Sequence, residues 1–268
     1  MDTLFDYTAI TPGQFSFLYN VLSFAFAAFF AGAIGLFIAA SQVGGRWRLT
    51  ITIAGLVALV ASYHYFRIFR SWDDAYVWVE GGLLKTVEPF NITYRYADWL
   101  LTVPLLMVEL VDILDLRGGK GRRLMAALAA AAALMIGLGY PGEVTTNEST
   151  ALLFWVLSML PVLGIFLFLV LRFGRYVRQQ PPEARGYVNG ARWLTASVWW
   201  VYPILYLFPL FGWTGGTSIV VTNTLFAVAD LTAKVGLGVL IAAAALAKSR
   251  VPAERGLAVE PAAPQPAE

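Results

Sequence analysis

Seven apolar runs divide this chain. They lie near residues 13–41, 49–70, 94–114, 122–140, 150–172, 190–210 and 217–247, and each is close to the roughly 20 residues a helix needs to cross a bilayer. Charged residues make up 13% of the chain and hydrophobic ones 59%, against about 25% charged in an ordinary soluble domain. The expected fold class is an all-α membrane protein, a bundle of seven transmembrane helices over residues 1–249. A Pro/Ala/Glu-rich tail at 250–268 reads as disordered.

The intervening stretches, near 72–93, 115–121, 141–149, 173–189 and 211–216, read as loops because the Gly, Pro and charge clusters fall there. Their charge predicts orientation. Loops after the first, third and fifth runs and the start of the tail hold Arg46, Arg48, Arg117, Lys120, Arg122, Arg123, Arg172, Arg175, Arg178, Arg185, Arg192, Lys248, Arg250 and Arg255, whereas the other side holds Arg67, Arg70, Lys85 and Arg95. By the positive-inside rule the N-terminus is outside and the C-terminus cytoplasmic. A net charge of +2 argues against nucleic-acid binding, and the absence of cysteine excludes disulfides and thiol chemistry. The first residues lack a basic n-region, so no cleavable signal peptide is expected.

Lys234 stands alone in an apolar run from Leu225 to Leu246, four residues after Asp230. Lysine in hydrocarbon costs a few kcal/mol or more, so such residues are functional by default. The i, i+4 spacing puts amine and carboxylate on one helix face. A buried lysine that loses its proton is a nucleophile towards an aldehyde; a structural ion pair fits the same pattern.

The third run carries Arg95, Asp98, Thr102 and Glu109, spaced 3, 4 and 7. At 100° per residue they share one stripe, and Asp98 and Glu109 are separated by roughly 16 Å of rise and about 20° of rotation. Two carboxyls at different depths on one face suit vectorial proton transfer: one accepts a proton from a central group, the other resupplies it. Arg95 is expected to hold Asp98 or Asp230 ionised. Asp112 and Asp115, near the cytoplasmic end, read as solvated. Mutual satisfaction inside a bundle is the competing explanation for the whole stripe.

His64, the only histidine, lies mid-span in the second run, where a neighbouring carboxylate makes it a pH-sensitive partner. Pro203 within Trp199-Trp200-Val201-Tyr202-Pro203 predicts a kink. Trp99, Trp155, Trp199 and Tyr202 are candidate walls for a flat apolar ligand, with ordinary packing as the alternative. Gly137 and Gly139 allow close helix approach or leave room for a ligand.

The motifs Arg-Tyr-Ala-Asp-Trp at 95–99, Trp-x-x-Tyr-Pro at 199–203 and Asp-x-x-x-Lys at 230–234 occur in that order. With them the chain resembles the microbial rhodopsins, and among these the proteorhodopsin and xanthorhodopsin group, over roughly residues 13–247. The resemblance implies all-trans retinal on Lys234 as a protonated Schiff base, Asp98 as proton acceptor and counterion, and Asp230 as second counterion. It places Thr102 beside Asp98, Glu109 as proton donor and His64 as partner of Asp98. Leu106 matches a colour-tuning position where leucine goes with green absorption. Tyr65, Trp99, Met135, Gly139, Trp155, Ser158, Trp199 and Tyr202 match retinal-pocket positions.

The implied function is light-driven outward proton pumping, by an ion-transporting photoreceptor protein and not an enzyme. Its implied setting is a bacterial-type cytoplasmic membrane, multi-pass, as a pentamer or trimer. A photosensor, a halide or sodium pump, and a retinal-free seven-helix transporter or receptor are the alternatives; Asp98, Thr102 and Glu109 together speak against the first two. Two departures are informative. The stretch Trp213 to Thr222 lacks the glutamate pair that serves bacteriorhodopsin as release group. Trp155 stands where xanthorhodopsin has a glycine that opens a window for a carotenoid, so no carotenoid antenna is expected. No metal site is expected.

Overall fold

The computed structural model describes Leu4 and residues 10–80, 82–116 and 119–257. Seven long helices account for nearly all of it. They are α1 (Pro12–Ser41), α2 (Gly45–Asp74), α3 (Thr93–Asp112), α4 (Gly119–Glu143), α5 (Glu148–Arg178), α6 (Pro182–Val198 continuing as Val201–Tyr206) and α7 (Gly216–Leu231 continuing to Leu257). Each helix packs on the next in sequence, and α7 returns to α1, closing a ring. Side chains facing the ring's interior form the core, while large apolar residues such as Phe24, Leu49, Leu160 and Leu171 face outwards, as a lipid-facing surface requires. Five helices are long and apolar enough to cross a bilayer by composition. In α3 the ion-bearing stripe lowers the hydropathy, and the first half of α6 is polar on one side.

Local signals explain the helix ends. Thr11 caps α1, accepting from the Gln14 backbone N–H at 3.3 Å, while the Gln14 side chain accepts from the Thr11 N–H at 3.0 Å. This reciprocal box satisfies two otherwise orphaned donors. Pro12 takes the first helical position, where its missing N–H costs nothing. Asn147 caps α5 by a single bond, its Oδ1 accepting from the Thr150 N–H at 2.8 Å.

Three features depart from the expected layout. First, the stretch 173–189 is almost entirely helical, because α5 runs to Arg178 and α6 starts at Pro182. Arginines mark where a helix leaves the hydrocarbon, and its backbone bonds persist beyond that point. Second, the stretch 72–93 holds an antiparallel hairpin, Tyr76–Val79 with Gly82–Lys85, in register Tyr76↔Lys85 and Val79↔Gly82. Gly82 has φ +141° there, a region open mainly to glycine. Third, α7 is helical to Leu257, past residue 249; residues 258–268 of the expected tail lie outside the described residues.

Two helices contain π turns, Phe168–Arg172 in α5 and Thr232–Gly236 in α7. The first frees carbonyls that Arg192 of α6 reclaims, donating to Leu169 O and Val170 O at 2.6 Å each. The expected kink of α6 is a break at Trp199–Trp200, because Pro203 has no N–H to return to the Trp199 carbonyl. Close approach of α1 to α7 comes from Gly32 and Gly238: a Cβ on either would lie within 3 Å of Val235 or Leu36. Gly137 does not mark such an approach, since its Cβ direction is open, whereas Gly139 faces the Tyr96 hydroxyl.

Candidate functional site

The ring closes around Lys234, whose side chain is 1% exposed although it ends in a charge. The π turn of α7 carries it, and such single-turn irregularities are frequent at functional sites. Its Nζ donates to Asp98 Oδ2 of α3 and lies 3.4 Å from Asp230 Oδ1, one turn back on α7. Asp98 and Asp230 are both fully buried. A buried cation between two buried carboxylates is an arrangement in which the position of one proton decides the charge of every member.

The two carboxylates are held differently. Asp230 accepts from three donors on three other helices: the Tyr65 hydroxyl at 2.9 Å, the Tyr202 hydroxyl at 2.8 Å and Trp99 Nε1 at 2.9 Å. Charge-assisted bonds of this kind fix an ionised carboxylate in place. Asp98 has far less. Its Oδ1 has no hydrogen-bond partner, and Thr102 donates to its backbone carbonyl at 2.8 Å. Asp230 is therefore the anchored charge and Asp98 the one with spare capacity for a proton.

Three expected contacts come out otherwise. Arg95 makes no ion pair with Asp98 or Asp230 among the described residues; it donates to Asn223 Oδ1 at 2.8 Å and lies over the Phe226 ring at 4.6 Å. His64 is buried, with its ring against Tyr63, and no hydrogen bond joins it to Asp98; His64 Nδ1 and Asp98 Oδ1 are each without a partner. Asp112 is not freely solvated: it accepts from Thr50 and pairs with Arg46. Glu109 is fully buried as expected, and neither of its oxygens has a partner.

An apolar cavity leads to Lys234. Its walls are mostly apolar and aromatic side chains with a few polar groups among them, the usual lining of a small-molecule pocket. Trp99, Leu106, Met135, Gly139, Trp155, Ser158, Trp199 and Tyr202 all line it; Tyr65 does not, and serves Asp230 instead. Trp155 is fastened across to α6 by donating to Pro203 O at 3.0 Å. Sequence reasoning missed Phe226 and Asn223, although they stand four and seven residues before Asp230, on its helical face. It also missed Glu143, at the end of α4, which lines the cavity together with Tyr96. Its position at a loop boundary gave no periodic signal.

This geometry alone defines a seven-helix membrane protein with an internal lysine between two carboxylates, lining a mostly apolar cavity. The chain belongs to the bacteriorhodopsin-like protein family, whose family model matches residues 17–248, and it is a microbial rhodopsin. The crystal structure described as xanthorhodopsin, a light-driven ion pump with dual chromophore, superposes with a TM-score of 0.88 at 39% identity, covering 92% of this chain and 99% of that one. A blue-light absorbing proteorhodopsin from Gamma-proteobacterium Hot 75m4 is 27% identical over 80% of each chain. Bacteriorhodopsin of Haloterrigena sp. is 32% identical over 55% of this chain, and the match spans 57% of that protein's length.

Proposed function

We propose that this protein is a light-driven outward proton pump with all-trans retinal carried on Lys234. The observation that carries the reading is the asymmetry of α3: Asp98 touches Lys234 Nζ, whereas Glu109, eleven residues on, is buried with no partner. The residues present fit retinal, since a single amine ends an apolar cavity walled by the flat rings of Trp99, Trp199 and Tyr202. When bound, retinal supplies the light-driven fall in proton affinity at the Lys234 nitrogen; the protein supplies placement and electrostatics.

Asp98 receives the proton from Lys234 Nζ, and its unpartnered Oδ1 leaves room for it. Asp230, saturated by Tyr65, Tyr202 and Trp99, stays charged and keeps the nitrogen's surroundings negative. Glu109 then returns a proton to the nitrogen from the opposite side. Its unpartnered surroundings suit a neutral acid, because a lone buried charge is costly. His64, whose Nδ1 lacks a partner, is assigned as the partner of Asp98, whose Oδ1 also lacks one. The positive-inside rule places the N-terminus outside, in a bacterial-type cytoplasmic membrane, so transfer from Glu109 towards Asp98 runs outwards. Assembly as a pentamer or trimer belongs to the same reading.

Light-induced pH change in a lightly buffered suspension of cells supplied with all-trans retinal tests the reading. Acidification on illumination, abolished by a protonophore, is expected. Colour without a pH change would replace it with a photosensor or a pump for another ion, and no colour would remove Lys234 as the attachment site.

Trp155, lining the cavity and bonded across to Pro203, closes the wall at which a second chromophore would meet retinal. Added ketocarotenoid is expected to leave the shape of the retinal spectrum unchanged and to transfer no excitation energy. Carotenoid-sensitised excitation of the pigment would refute this.

A further inference from the structure

At the end of the bundle where α3 stops, four polar groups from three helices meet a fifth, Asp115, on the turn that follows α3. Asp112 is the last residue of α3 and lies one turn beyond Glu109, separated by about 4.5 Å of rise and 60° of rotation. Its Oδ2 accepts from the hydroxyl of Thr50 on α2, which is 1% exposed. Arg46, one turn before Thr50, grips both carboxylate oxygens, Nη1 to Oδ2 at 3.2 Å and Nη2 to Oδ1 at 3.3 Å. The same guanidinium reaches Asp115 Oδ1 at 3.1 Å. Lys248 of α7 donates to the Ile113 carbonyl and lies over the Trp47 ring.

Exposure is graded across this cluster. The Arg46 and Asp115 side chains are 51% and 54% exposed, Asp112 is 27% exposed, and Glu109 is sealed. Asp112 is thus the carboxylate that touches both water and the buried threonine, next to a buried acid with no partner. A half-exposed ion pair contributes little stability, so a purely structural role accounts poorly for this cluster.

We propose that Asp112 is the proton-entry relay that refills Glu109, with Thr50 and Arg46 as its positioning residues; this rests on the pump reading above. Once Glu109 has given up its proton, it is an unpartnered buried carboxylate. Asp112 takes a proton from bulk water, its O–H bond breaks as one forms on Glu109, and the Asp112 carboxylate left behind is neutralised by Arg46 until the next proton arrives. The charged groups facing Asp112 are Arg46 on α2, Lys248 on α7 and Asp115 on the following turn.

Flash experiments on the full chain, loaded with all-trans retinal in vesicles, test this with a pH-indicator dye for proton uptake and the infrared carbonyl band for Glu109. Asp112→Asn, and Asp112→Ser as a second variant, are expected to keep the dark spectrum and the first transfer. Refilling of Glu109 should slow about tenfold or more, with a rate that falls about tenfold per pH unit because it becomes a direct collision with bulk protons. Azide, a small diffusible acid, should restore it; Asp112→Glu should behave as the unsubstituted chain, and Asp115→Asn should change little. If uptake in both Asp112 variants keeps the unsubstituted rate and pH profile, or if Asp115→Asn slows it equally, the relay is overturned while the pump stands. If the unsubstituted chain itself takes up no proton after a flash, pump and relay both fall.

Discussion

Asp98→Asn is expected to abolish light-driven acidification, to the level of an unilluminated control, and to shift the pigment's absorption to longer wavelength. Both effects have one origin. Among the described residues, the carboxylate that contacts Lys234 Nζ is the only one near it with an unpartnered oxygen; Asp230 already accepts from Tyr65, Tyr202 and Trp99. An amide at 98 cannot take the proton, and Asp230 is too well held to replace it. The colour shift follows because the positive charge at the Lys234 nitrogen loses the anion that pins it in the dark state. The fold should survive, since Asp230 remains 3.4 Å from Nζ, and the destabilisation should fall below the roughly 3–5 kcal/mol of an uncompensated buried charge. Absorption spectra and pH traces of the same membranes read both. Retained pumping would remove Asp98 as acceptor.

Glu109→Gln is expected to leave the dark spectrum and the first proton transfer intact, and to slow the return of the proton to the Lys234 nitrogen roughly 10²-fold, as for loss of a positioned general acid. The substitution is nearly isosteric at a site where neither oxygen has a partner, so it removes the transferable proton and little else. Azide, able to diffuse in and carry a proton, should restore the rate. A decay unchanged by the substitution would show that the proton arrives by another route. The two variants fail at different steps, and flash kinetics separate them: Asp98→Asn gives no deprotonated state, Glu109→Gln a long-lived one.

Much of this site is legible in the amino-acid sequence. The stripe Arg95, Asp98, Thr102, Glu109 and the pair Asp230, Lys234 follow from helical periodicity, which places residues on faces whatever the tertiary arrangement. Eight of the nine residues expected to touch the chromophore beyond Lys234 line the cavity. The ninth, Tyr65, shows the limit: its place on α2 is as expected, but its hydroxyl is taken by Asp230. Arg95 departs in the same way, since position on a stripe does not say which of several acceptors a long side chain reaches, and Asn223 and Phe226 hold it. Asp112 reads as solvated because nothing within α3 marks Arg46 and Thr50, more than sixty residues earlier, as its partners.

By itself the sequence determined the number of spanning helices, the lysine, and the depth order of the two carboxyls on α3, because these depend on length, apolarity and a fixed rise per residue. Only the tertiary structure decided that Asp230 is the saturated carboxylate and Asp98 the open one, that Trp155 is tied across to α6, and that Asp112 is held by Thr50 and Arg46 of α2. Those are contacts between helices, and they depend on how each is rotated and broken. The π turn at Thr232–Gly236, the interruption at Trp199–Trp200 and the glycines that bring α1 onto α7 set that rotation.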